Sequence, residues 1–168
     1  SLPPDVALVH VAALDAADRT DDANAAFGRL RVALRKQKDA GDKQAAADMA
    51  WAALLFNRNV ELVPELLQEA GDAPAGLSAR LEGWRALRRG DAAAARAALQ
   101  PIADDDPFAA YGVAVSYREA DAEKQRQWLT RVASQSPGTL AGVLAAMDLR
   151  RAWQSVPATP RAQALRAQ

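Results

Sequence analysis

Gly41-Asp42, Gly71-Asp72 and Gly90-Asp91 recur along a chain otherwise dominated by helix-forming residues, and Ala120-Asp121 repeats the arrangement without the glycine. Glycine takes the left-handed conformation that ends a helix, and aspartate caps the helix that follows. Each pair therefore marks a tight reversal between two helices. Pro64, Pro107 and Pro137 fall near expected helix starts, where a missing N–H costs little. Between these marks apolar residues step by three and four, as in Phe27, Leu30 and Leu34, or Phe108, Tyr111 and Val115. The stripes Leu77–Leu81–Trp84, Ala95–Leu99–Ile102 and Leu140–Val143–Leu144–Met147 repeat the pattern. The spacing predicts helices at 4–17, 20–39, 43–57, 60–70, 76–89, 91–104, 107–119, 121–135 and 138–154. Residues 155–168, with Pro157 and Pro160, read as a loop or a short frayed helix. Pro101 lies inside the 91–104 segment and should kink it. Connections are short throughout, so neighbouring helices should run antiparallel.

Composition agrees with an all-α chain. Of 168 residues, half are apolar but only 5% are aromatic, and alanine alone is roughly a quarter. Alanine favours helix and fills little volume, so many alanines let helix backbones approach. β-branched residues are too sparse for a β-sandwich. The length suffices for one domain with a real core, taken as residues 1–154. Lysine plus arginine equals aspartate plus glutamate at 21 each, so no net field draws in nucleic acid or an anionic membrane. Without cysteine, disulfides and thiolate metal sites are excluded, and the compartment stays open between bacterial cytoplasm and periplasm. No apolar run approaches the ~18 residues of a membrane span. The opening Ser-Leu-Pro-Pro in place of methionine suggests a mature or excised fragment.

An internal repeat emerges when Gly83 is aligned with Gly112. Each glycine sits midway along a helix that runs into an aspartate turn, and each is followed by a second helix ending in a polar cluster and a proline. The units span 76–107 and 105–137. They resemble the tetratricopeptide repeat, a helical hairpin. Counted from Gly76, Gly83 falls at that family's small position, Gly90 and Asp91 at its turn, Ala95 at a second small position, Leu99 at a large one and Pro107 at the closing proline. Ala79 and Glu82 stand where the family prefers tryptophan and leucine, and the Gly112 unit is shorter, with Trp128 near the large position. The resemblance implies antiparallel hairpins stacked as a right-handed α-solenoid. In such a stack the first helix of each hairpin lines a concave groove. Arg80, Trp84 and Arg88 would face it, followed by Val113 and Tyr117 on the next hairpin. Arginine grips carboxylates with a two-pronged fork and tryptophan adds flat apolar area. The competing reading packs Trp84 into the core with the arginine stems lying along it.

Other candidates have plainer readings. His10 is the single histidine and has no oriented partner in the pattern, so a structural role is expected. Asp104, Asp105 and Asp106 precede the helix at Pro107, where negative charge suits the dipole; no metal or cofactor is expected. Arg89-Gly90-Asp91 matches an adhesion tripeptide but is explained by its turn. Arg29, Arg31, Arg35, Lys36, Lys38 and Lys43 lack interleaved aromatics and read as a solvated face, not a nucleic-acid site.

The expected function is a non-catalytic protein-interaction or scaffolding module binding a partner polypeptide that carries acidic or C-terminal carboxylate groups. The alternative is an accessory helical domain of a larger bacterial cell-envelope enzyme or export complex. A solenoid cut from a longer array exposes an apolar end, which would pair with a second copy as a homodimer.

Overall fold

The computed structural model describes residues 3–71 and 75–155. Of the expected tail at 155–168 only Ser155 is described, as the last residue of a helix; residues 156–168 and the Asp72 cap lie outside the described residues. Within them the chain is all helical: α1 (Pro4–Ala16), α2 (Thr20–Asp39), α3 (Lys43–Phe56), α4 (Val63–Ala70), α5 (Ala75–Arg88), α6 (Ala92–Leu99), α7 (Pro107–Ser116), α8 (Ala122–Gln135) and α9 (Leu140–Ser155).

The aspartates act as the turn chemistry requires. Asp42 accepts from the Gln44 N–H at 3.0 Å, Asp91 from Ala94 at 2.9 Å and Asp121 from Lys124 at 3.0 Å. Asp106 accepts from both Phe108 and Ala109, at 2.9 and 3.2 Å. Gly90 sits at φ 77°, the left-handed conformation that lets α5 end and α6 begin within three residues. Two segments depart from the periodicity. Val60–Leu62 forms a 3₁₀ turn before α4, and α6 stops at Leu99 and tightens into a second 3₁₀ turn at Gln100–Ile102. Pro101 cannot donate back into the helix, so the helix ends where a kink was expected.

Sequential helices pack on one another from α1 to α9, except at α4 to α5 where the intervening residues lie partly outside the described set. In addition α3 touches α5, α5 touches α7, and α7 touches α9. Two large apolar clusters result, with a third, small one of Ala46, Ala47 and Ala70 between α3 and α4. Val11, Leu14, Phe27, Leu30 and Leu34 gather α1 and α2 against one side of α3. Trp51, Leu54, Leu81, Trp84, Leu99, Tyr111, Leu129 and Ala141 carry a second cluster from α3 to α9. Leu99 of α6 is fully buried and faces Gly83 of α5 and Gly112 of α7. A Cβ on Gly83 would collide with its side chain, and one on Gly112 would come within 2.6 Å of Leu99 Cδ1. Glycine at both places is what admits the leucine.

Candidate functional site

The helix junctions are held by arginines reaching to the ends of other helices. Carbonyls in the last turn of a helix lack intrahelical donors and carry partial negative charge. Arg88, at the end of α5, donates from Nε to Leu54 O at 2.6 Å and from Nη2 to Leu55 O at 2.7 Å. Both carbonyls belong to the last turn of α3. Burial lowers the Arg88 pKa from its ordinary value, and the nearby Arg118 charge acts in the same direction. Arg96 of α6 caps α7 through Ser116 O at 3.0 Å and lies over the Tyr117 ring. Arg58, just past α3, grips Asp15 of α1 with two hydrogen bonds of 2.8 and 2.6 Å and donates from Nε to Asn24 of α2. Its pKa is raised, chiefly by the hydrogen bond to Asp15.

Above Arg88 lies a cleft of about 310 Å³ to which α1, α3, α5, α7 and α9 all contribute. Asp148 of α9 is its anchor. That carboxylate accepts from the Tyr111 hydroxyl at 2.8 Å and stands 3.5 Å from Arg118 Nη2 and 3.7 Å from Arg151 Nη1. Its side chain is only 14% exposed, whereas those of Arg118 and Arg151 are 57% and 61% exposed. The cleft thus presents Arg88, Arg118 and Arg151 against Asp148 and Asp15, and Asp15 is already engaged by Arg58. Positive charge is in excess, and the two outer arginines are loosely held. Such an arrangement suits an anionic group of a ligand.

The five residues singled out from the sequence do not share one surface. Arg88 lines the cleft, as does the edge of Trp84. Trp84 is nonetheless 2% exposed: it meets Trp51 edge-on at 5.4 Å and donates from Nε1 to Phe108 O at 3.2 Å. Val113 is completely buried. Arg80 belongs to a separate hollow beside Pro101, Asp106 and Phe108, stacked over Trp51 at 4.7 Å and 3.5 Å from Asp106. Its Nε is buried and makes no hydrogen bond among the described residues. Tyr117 is half-buried between Arg96 and Lys124 and does not line the cleft. Tyr111 reads in the sequence only as part of an apolar stripe, and Arg118, Asp148 and Arg151 were not singled out. The one local sign was Asp148, a carboxylate directly after Met147 in an otherwise apolar stripe.

No group of three or more His, Asp and Glu among the described residues is placed to hold a metal ion. No described helix is long and apolar enough to cross a membrane. His10 is exposed on α1, and among the described residues no carboxylate pairs with it to orient it for catalysis. The chain matches no family model, no curated protein and no solved structure.

Proposed function

We propose that the chain is a non-catalytic interaction module whose hairpins stack as a tetratricopeptide-like solenoid. The cleft shared by the odd-numbered helices receives a segment of a partner polypeptide bearing an acidic or C-terminal carboxylate group. One observation carries this reading: Arg88, Arg118 and Arg151 converge on a concave surface whose carboxylates are already engaged from within the protein. Arg88 is held rigidly by the Leu54 and Leu55 carbonyls, so little side-chain entropy remains to be lost on binding. Arg118 and Arg151 are exposed enough to swing onto an incoming anion. The residues expected from the repeat resemblance contribute differently: Arg88 and the edge of Trp84 line the cleft, while Val113 is buried in the core.

The test is binding of an array of extended peptides with acidic C-termini to the wild-type chain and to an Arg118→Glu/Arg151→Glu variant. Binding should fall by about tenfold or more in the variant and weaken with salt, with helical circular dichroism unchanged. Equal binding by both proteins, or none by the wild type, removes the cleft from consideration.

A further inference from the structure

A second surface lies on the opposite side of the first cluster, over α1 and α2. α1 carries two apolar stripes. Val11 and Leu14 point into the core, whereas Val6 and Val9 are 43% and 49% exposed. Positions 6, 9, 10 and 13 follow the spacing of one helix face, so Val6, Val9, His10 and Ala13 form an outward stripe. An amphipathic helix needs only one apolar face to join its own core. On α2, Val32 is 54% exposed. Beside it is a hollow of about 670 Å³ whose floor is built of small residues, among them Ala7, Ala25, Gly28 and Ala33. A Cβ at Gly28 would meet nothing within 4 Å, so the hollow is open at that point.

The charge around the hollow has one sign. Arg29, Arg31 and Lys36 line it, and among the described residues no carboxylate does. Arg31 is engaged only by the neutral side chain of Asn59, at 3.3 Å, and Arg29 and Lys36 make no ion pair among the described residues. Other cations of the same helix and of its neighbour are neutralised, Lys38 by Glu69 and Arg58 by Asp15.

We infer that this hollow is a docking groove for an acidic amphipathic helix of a partner polypeptide. The helix lays its apolar side against Val32 and the small-residue floor and sets its carboxylates against Arg29 and Lys36. The concave, small-residue floor admits a rod, because backbones approach closely only where side chains are short. A second copy docked by the same face would set Arg29 and Lys36 of one chain against those of the other, which like-charge repulsion opposes. A nucleic acid would find no Phe, Tyr or Trp ring among the lining residues, the imidazole of His10 being the one ring there.

The test uses a helical peptide about five turns long, with a leucine stripe flanked by glutamates, and its counterpart with lysines replacing the glutamates. The full chain should bind the glutamate peptide and not the lysine peptide. Arg29→Glu/Lys36→Glu should weaken that binding by about tenfold or more and reverse the preference between peptides. Val32→Asp should weaken binding to a similar degree, while Arg118→Glu/Arg151→Glu, at the other surface, should leave it unchanged. Absence of binding, equal binding of the two peptides, or indifference to both variants overturns the proposal. So do two other results: binding to phosphatidylglycerol vesicles in place of the peptide, and a dimer in sedimentation that Val32→Asp abolishes.

Discussion

Leu99 fills the space that a side chain on Gly83 would need, and its fully buried position leaves it nowhere to retreat, because Gly112 closes on it from α7. Two effects oppose each other in Gly83→Ala. Alanine is better than glycine within a helix by about 1 kcal/mol. Forcing a methyl into an occupied core costs about 1–3 kcal/mol. The nearest atoms are the branch point and methyls of a leucine held on both sides, so the steric cost should win. Chemical denaturation should show net loss of stability for Gly83→Ala and a larger loss for Gly83→Val. Gly28→Ala, at a helical glycine with open space, should be neutral or stabilising. A double-mutant cycle adding Leu99→Ala should show Gly83→Ala losing most of its effect once the leucine is shortened. Additive losses would mean that the two residues do not compete for the same space.

Arg88 invites a different substitution. Its Nε and Nη2 each satisfy a terminal carbonyl of α3. Hydrogen bonds from a charged donor contribute about 1.5–3 kcal/mol. Lysine keeps the charge but cannot place two donors in a fixed fork. Arg88→Lys should therefore destabilise the chain nearly as much as Arg88→Met, and amide exchange should rise most in the last turn of α3. If lysine restored wild-type stability, charge alone would be sufficient at the site.

Asp106 combines two roles in one carboxylate. It accepts from two N–H groups at the start of α7 and stands 3.5 Å from Arg80, whose guanidinium lies over Trp51 and Phe108. Removing a helix cap costs about 1–2 kcal/mol. Asp106→Ala should lose that much and leave Arg80 without its counter-ion. Asp106→Asn keeps an acceptor for the N–H groups and should recover most of the stability. Thermal unfolding of the two variants separates the cap from the charge: equal losses would assign the effect to the ion pair.

Much of the helical pattern was legible because local chemistry decides it. Asp42, Asp91 and Asp121 cap the helices that their glycine or alanine partners precede. Gly83, Ala95 and Leu99 were legible as a small–small–large group because close approach of two neighbouring helices needs that combination. The cleft was not. Trp84 shares its arc of α5 with Leu81, and no local pattern says which side of that arc another helix covers. Trp51 and Gly112, distant in sequence, decide it by packing against Trp84 from α3 and α7. Arg88 reads as a surface charge until α3 delivers two carbonyls to it. The pairing of Tyr111 with Asp148 joins α7 to α9 across 37 positions, beyond the reach of any periodicity.

That pairing makes the alkaline limit of stability testable. Tyr111 is 8% exposed, and burial raises its pKa above the ordinary value of about 10, aided by the Asp148 charge and hydrogen bond. Arg118 and Arg151 oppose the shift without cancelling it. Above the unfolded pKa, the unfolded chain releases the Tyr111 proton while the native chain keeps it. The native state then binds more protons, so stability falls as pH rises. The slope approaches about 1.4 kcal/mol per pH unit between the unfolded and the folded pKa. Below the unfolded pKa the contribution is fully present. Tyr111→Phe removes the titrating proton along with the hydrogen bond, at a cost of about 1 kcal/mol near neutrality. Urea unfolding from about pH 9 to about pH 11 should therefore give a shallower decline for the phenylalanine variant, with its deficit shrinking as the solution becomes more alkaline. Parallel declines would show that Tyr111 ionises as readily in the native chain as in the unfolded one, and that the contact with Asp148 does not hold its proton.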